Sequence, residues 1–135
     1  MAFVNWNESY ATGIKDIDSQ HKRLFELINE FHDAVKDRKI EDGTAKIISG
    51  LLDYTILHFK FEERMMERNQ YAGLAAQKLA HKAFTDKIAD YKARFESGKL
   101  LLTIEVTNYL KTWLVEHIMK SDMLYVPIMS AAGVR

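Results

Sequence analysis

His58 and Glu62 stand four residues apart in the stretch HFKFEERMMERNQYAGLAAQKLAH, which runs from His58 to His81. Gln77 and His81 repeat that spacing after a break at Asn69 to Gly73. On an α-helix such a step leaves two side chains offset by only about 40° and about 6 Å along the axis, so each pair points one way. If two helices run antiparallel across the Asn69 to Gly73 corner, the pairs face each other inside a bundle. Bundle cores build carboxylate and histidine metal sites in this way. Gln77 is the odd member, because a metal site asks for a stronger donor there. His117 and Asp122, in HIMKSD, are the last signal. Their five-residue step rotates by about 140° on a regular helix, so the side chains diverge unless the helix ends or is distorted between them.

Four amphipathic segments carry these residues. Up to about Ile17 the chain mixes Phe3, Trp6 and Tyr10 with Asn, Thr and Gly, and reads as an extended arm whose aromatics pack onto the body. Asp18 or Ser19 is the expected N-cap of a first helix with Leu24, Phe25, Ile28, Phe31, His32 and Val35 at three-and-four spacing. A polar corner, about Asp37 to Gly43, leads to a second helix whose stripe runs from Ile47 and Ile48 to Met65 and Met66. The third, from about Ala72 to Ser97, carries Leu74, Gln77, His81, Phe84, Ile88, Tyr91 and Phe95, with Gly98 as its stop. The fourth, from about Thr103 to Met119, carries Val106, Leu110, Trp113, Leu114 and His117. Ser121 is positioned to cap a short last helix running through Leu124 and Tyr125 towards Pro127. Short joins between such helices predict an all-α, antiparallel up-down four-helix bundle with an extended N-terminal arm and a short C-terminal helix.

Composition narrows the chemistry. At 135 residues the chain is expected to form one domain, residues 1–135, with a single core. Nineteen basic side chains balance nineteen acidic ones, which disfavours nucleic acid and other polyanions as partners. The absence of cysteine excludes disulfides, iron–sulfur clusters and thiolate zinc sites, so any metal must be held by nitrogen and oxygen. No apolar run approaches membrane-spanning length, and the start lacks a basic segment leading into an apolar one. A soluble, cytoplasmic, monomeric protein without a membrane partner is expected.

In an up-down bundle His21, near the start of helix one, meets the end of helix two, the start of helix three and the end of helix four. His21, His58, His81 and His117 therefore converge at one level, with Glu62 and Asp122 beside two of them. Unrelated core histidines need not share a height. Two carboxylates can bridge two ions while imidazoles terminate them, a donor set that suits iron or manganese and also accepts zinc. His32 lies eleven residues beyond His21, about 16 Å along the axis, and cannot serve the same centre. It reads as a partly buried structural histidine. Glu63 and Glu67 read as solvated. Tyr125, three residues after Asp122, is placed to pack near the centre, and packing alone explains it equally well.

The string from Trp6 through Gly13, Ile14, Asp16, Asp18, Gln20 and His21, then HFKFEERMM, then Tyr71 to Phe84, then WLVEHIMKSD with Tyr125, resembles the hemerythrin family, specifically the single-domain bacteriohemerythrins. The resemblance covers nearly the whole chain, and His58 with Glu62 and His117 with Asp122 match the family's His-x-x-x-Glu and His-x-x-x-x-Asp. It implies a bundle that binds O2 through two non-haem iron ions, bridged by Glu62, Asp122 and an oxo or hydroxo group. His21 and His58 would hold the iron left open for O2, and His81 and His117 the other. The family's His-x-x-x-His reads here as Gln77-x-x-x-His81, and Ala80 replaces its Glu before the second histidine. A Gln carbonyl is a weak neutral donor, so the second ion is expected to be held less tightly, to carry a water, or to be lost. The alternatives to O2 storage, transport or sensing are then peroxidase-like or oxidase-like activity, with peroxide or small anions as ligands, or a metal-poor structural module. The family's apolar dioxygen pocket corresponds to Phe59, Met66, Phe84, Trp113, Leu114 and Ile118. A dry pocket of that kind restricts water entry.

Overall fold

A computed structural model describes residues 3–36, 42–98 and 104–135. Its elements are a 3-10 turn at Glu8–Tyr10, then α1 (Lys15–Lys36), α2 (Asp42–Arg68), α3 (Leu74–Glu96) and α4 (Ile104–His117), a π-helical turn at Ile118–Asp122, and α5 (Met123–Ala131). No strand occurs among the described residues. α2 packs against both α1 and α3, and α1 also packs against α4. The expected apolar stripes supply the core: Leu24, Ile28 and Phe31 of α1, Ile48, Leu51 and Phe59 of α2, Phe84 and Ile88 of α3, and Leu110 and Leu114 of α4 are all buried together. A smaller cluster of Ile14, Ile17, Met65, Met66, Tyr125 and Met129 is separate from it.

The arm packs on the body as expected. Val4 N–H donates to Asn29 Oδ1 at 2.8 Å and its carbonyl accepts from Asn29 Nδ2 at 2.9 Å. Trp6 and Tyr10 both pack their rings against Phe25. The arm is not extended throughout, since it contains the turn at Glu8–Tyr10.

α1 begins at Lys15, earlier than an N-cap at Asp18 or Ser19 allows. Asp18 does satisfy helix-start donors, but from inside the helix. Its carboxylate reaches back to accept from Thr12 N–H at 2.8 Å, Thr12 Oγ1 at 2.7 Å and Gly13 N–H at 3.3 Å. Gly13, at φ +79°, supplies the left-handed residue that folds those donors towards it. His32 is half-buried and stacks on Phe3 with ring centres 3.9 Å apart, which bears out its structural reading.

The Asp37 to Gly43 corner falls largely outside the described residues, as does the expected start of the fourth helix at Thr103. α3 begins at Leu74 rather than Ala72, and Gly98, at φ +75°, ends it with its N–H bonded to the Phe95 carbonyl. The chain does not break after His117. The last helix follows directly from the π turn and runs past Pro127 to Ala131, with Tyr125 and Met129 fully buried on either side of the proline.

α2 closes on Gln70, whose φ of 53° is left-handed, with the Tyr71 N–H bonded back to the Met66 carbonyl at 2.9 Å. A side chain with a β-carbon is strained in that cap, and glycine is not. Gln70→Gly is therefore expected to stabilise the fold by about 0.5–1 kcal/mol and raise the melting temperature by roughly 2–5 °C. Calorimetry of the two proteins side by side checks this, and an unchanged or lower midpoint would count against the strain.

Candidate metal centre

The alternating helices bring their functional side chains to one level. Glu62, His81, His117 and Asp122 form one group with donor atoms within 4.8 Å of one another, and His21, His58 and Glu62 form a second. Glu62 belongs to both. Asp122 also spans them, with Oδ2 3.3 Å from His21 Nε2 and Oδ1 3.3 Å from His117 Nε2. Glu62 Oε1 lies 3.2 Å from His81 Nε2 and 3.7 Å from His58 Nε2. All six side chains are buried.

The π turn solves the five-residue spacing. It widens the helix by one residue over a single turn, so that His117 and Asp122 face the same side without the chain ending. Ser121 makes no cap hydrogen bond among the described residues. Met123 N–H bonds to the Ile118 carbonyl, five residues back.

The imidazoles are oriented from behind. His58 Nδ1–H donates to Gln20 Oε1 at 2.7 Å, and His81 Nδ1–H donates to Glu63 Oε2 at 2.7 Å. In the neutral rings this leaves both Nε2 lone pairs directed inward, the tautomer a metal ligand needs. Glu63 is thus not simply solvated; it fixes His81. Tyr125 does more than pack, because its hydroxyl donates to Glu62 Oε2 at 2.7 Å. Neither pairing was available from spacing: Gln20 acts 38 residues away in sequence, and Glu63 points about 100° from Glu62 on its own helix.

Gln77 is buried at the same level. Its amide nitrogen donates to Asp122 Oδ1 at 3.1 Å, and its Oε1 is buried without a partner. Glu62 Oε1, Asp122 Oδ2 and both ring nitrogens of His21 are likewise buried and lack hydrogen bonds among the described residues. His81 Nε2 and His117 Nε2 face each other at 3.2 Å. Two ring nitrogens this close need a proton or a cation between them, and buried acceptors left unmatched are costly. Two ligands at right angles on an ion with bonds near 2.1 Å are roughly 3 Å apart, so the spacing and the unmatched atoms fit a cation-holding donor set.

Burial opposes charge throughout the centre, and the neighbours decide where charge survives. Burial alone would raise Asp122, but its contacts with His117 and His21 hold it well below the usual carboxylate range. Glu62 is raised, by burial and then by the Asp122 charge. Burial lowers His58 well below an ordinary imidazole. Burial also opposes protonation of His21 and His81, yet Asp122 outweighs it at the first and Glu62 at the second, so both are raised.

Of the six residues matched to an apolar pocket, Phe59, Phe84, Leu114 and Ile118 lie in the main core, with Trp113 half-buried against it. Phe59 stacks on His81 at 3.8 Å, and Trp113 is sandwiched between His117 at 4.5 Å and Phe84 at 3.9 Å. Met66 is fully buried in the smaller cluster instead.

A helix bundle organised around a buried histidine and carboxylate cluster is a cation-binding architecture. The chain belongs to the hemerythrin family, for residues 12–129 match the model described as the Hemerythrin HHE cation binding domain. It is 36% identical to the bacteriohemerythrin of Methylococcus capsulatus, over 97% of this chain and all of that one. It is 39% identical to the bacteriohemerythrin of Pseudomonas aeruginosa, over 93% of this chain and 81% of that one. Sipunculus nudus myohemerythrin is 31% identical, over 89% and 88% of the two chains. The crystal structure of wild-type hemerythrin superposes with a TM-score of 0.91 at 33% identity, covering 96% of this chain and 99% of that one.

Glu63→Ala removes the acceptor that fixes His81 and is expected to weaken metal binding about 10–100-fold, as losses of ligand-orienting partners do. Chelator competition with Co(II) measures it, and unchanged affinity would sink the assigned role. The raised His21 and His81 must also shed protons before their nitrogens can serve a cation. Apparent metal affinity should therefore rise with pH through their raised pKa values and level off above them. His58, already neutral, contributes no proton near neutrality. Calorimetric titration with Co(II) in buffers of different ionisation enthalpy reads the released protons directly, and zero release near neutral pH would contradict the assignment.

Proposed function

We propose that this protein binds O2 reversibly at a non-haem diiron centre, in the role of storage, transport or sensing. The carrying observation is that both buried carboxylates span two groups of inward-directed imidazoles, supplied one from each of four helices. Glu62 and Asp122 would bridge the two ions together with a solvent-derived oxygen. His21 and His58 would hold one ion, and His81 and His117 the other, with Gln77 at the remaining position of the second. The bound irons supply the electrons that a dioxygen molecule requires. The chain supplies the setting. Gln20 and Glu63 hold two imidazoles in the ligating tautomer, and Tyr125 donates to Glu62 so that its second oxygen stays aimed inward. Phe59 and Trp113 cover the outer faces of His81 and His117, which keeps water from that side of the centre. A single domain over residues 1–135 is part of this reading, as is a monomer. Among the described residues no helix is long and apolar enough to cross a membrane.

The Gln77 corner favours a variant of this reading. A histidine in the ligating tautomer offers a lone pair inward, whereas Gln77 spends its amide hydrogen on Asp122. The second ion is then bound with one strong donor fewer. Anaerobic reconstitution with Fe(II) should load two irons per chain, with the second titrating more weakly, and exposure to O2 should produce the absorption of an oxygen-bridged ferric pair. Gln77→His should tighten the weaker step and leave the stronger one unchanged. One iron or none in both proteins would defeat the diiron reading, while equal second-step affinities would remove Gln77 from it.

A further inference from the structure

Near its end, the outer face of α2 carries positive charge that no carboxylate pairs. Arg64 and Arg68 are exposed and stand four residues apart, so their side chains leave the helix on one side, where like charges repel. Among the described residues the ion pairs of lysine and arginine fall elsewhere, at Arg23, Lys82, Lys92 and Arg94. Both arginines line a cavity of about 540 Å³ at the corner where the start of α1, the end of α2 and the tail after α5 meet. It shares no residue with the metal centre.

The tail closes this corner because α5 ends on Gly133. At φ +81° that glycine turns the chain back, with its own N–H bonded to the Ser130 carbonyl at 3.0 Å and the Val134 N–H to the Met129 carbonyl at 2.9 Å. Val134 then packs against the cluster that holds Ile14, Met65 and Met129. Ile14, Met65, Val134 and Phe61 make up the apolar lining of the cavity, and Phe61 is 37% exposed to whatever enters it. The polar lining is Asp16, Arg64, Arg68, Asn69 and Arg135. Two of these are already engaged, Asn69 with the Met65 carbonyl at 2.8 Å and Arg135 with the Ser130 carbonyl at 3.4 Å. Two guanidinium groups then face one carboxylate, that of Asp16, and one positive charge is left over.

Pockets that take small organic molecules run to about 300–1,000 Å³ and set a few polar groups in an apolar lining. Guanidinium groups pair with planar carboxylates through two parallel N–H donors. A single surplus charge matches a monoanion. We propose that this corner is a binding site for a small amphiphilic carboxylic acid, its carboxylate held by Arg64 and Arg68 and its apolar body laid against Phe61, Met65, Ile14 and Val134. The site is independent of the diiron reading given above.

Calorimetric titration with octanoate, kept below the concentration at which it forms micelles, should show saturable binding at one site per chain. Arg64→Gln with Arg68→Gln, which keeps the helix and much of each aliphatic stem, should weaken it about tenfold, the size expected of two partly exposed ion pairs. Arg23→Gln, whose arginine is paired elsewhere on the surface, should change it less than about twofold. Octanol and acetate each lack one half of the ligand, and both should bind at least about tenfold more weakly than octanoate. A crystal grown with octanoate should show its carboxylate within hydrogen-bond distance of Arg64 and Arg68. Octanol binding as tightly as octanoate removes the arginines from the site, and acetate binding as tightly removes the apolar lining; either overturns the proposal. So does an octanoate carboxylate found away from the two arginines. Cosedimentation with phosphatidylglycerol vesicles, without saturable binding of octanoate, would make this face a membrane contact and overturn the pocket.

Discussion

Everything in this bundle answers to one electrostatic constraint: two carboxylates and four imidazoles share an interior from which water is excluded. An isolated buried charge costs several kcal/mol even after relaxation, so the cluster is tolerable only when its charges are compensated. The protein compensates by sorting. Asp122 keeps its charge between His117 and His21, Glu62 is pushed towards its neutral form by burial and by Asp122, and His58 is pushed towards neutrality while His21 and His81 hold on to protons. Protons thus occupy positions that cations can take over, and the same lone pairs serve both states.

That exchange demands that the side chains hold still while the charge changes. Gln20, Glu63 and Tyr125 each contact a cluster member from outside, and the Phe59 and Trp113 stacks press two of the rings from their faces. Pre-organisation of this kind is what separates a metal site from a set of core histidines. The two apolar clusters, one built on Leu24, Phe31 and Ile88 and the other on Ile17, Met66 and Tyr125, then fix the heights of the helices that carry these residues.

The four histidines and two carboxylates were legible in the sequence because helical periodicity is local, and an up-down topology converts local phase into a common level. The orienting groups were not. Whether Glu63 meets water or His81 depends on how α3 crosses α2, and Gln20 finds His58 only because α1 and α2 are neighbours. The start of α1 at Lys15 is hidden from the sequence for a related reason. Asp18 has the composition of a cap, and its carboxylate does serve the helix start, but it accepts from Thr12 and Gly13 across a glycine turn that propensity alone does not locate. Met66 keeps the helical phase of Phe59, seven residues on, yet two turns of axial rise carry it into the other cluster.

The His117 and Asp122 pair shows how far a site can bend its own scaffold. On a regular helix a residue four beyond His117 would share its face, and the chain there offers Ser121. The carboxylate comes one residue later, and the helix accommodates it by adopting i to i+5 bonding over one turn. Such turns sacrifice hydrogen-bond geometry and occur mostly as single turns at functional sites. Here the compensation is visible in the packing. Ile118 and Asp122 are buried at the two ends of the turn, and Tyr125, on the helix that follows, places its hydroxyl on Glu62. A regular helix through this segment would rotate everything after the turn by about one residue, roughly 100°, carrying Tyr125 off Glu62 and Met129 out of the second cluster. The distortion therefore sets the phase of the last helix as well as the aim of Asp122. The bridging acid and the hydroxyl that steadies its partner acid depend on the same turn.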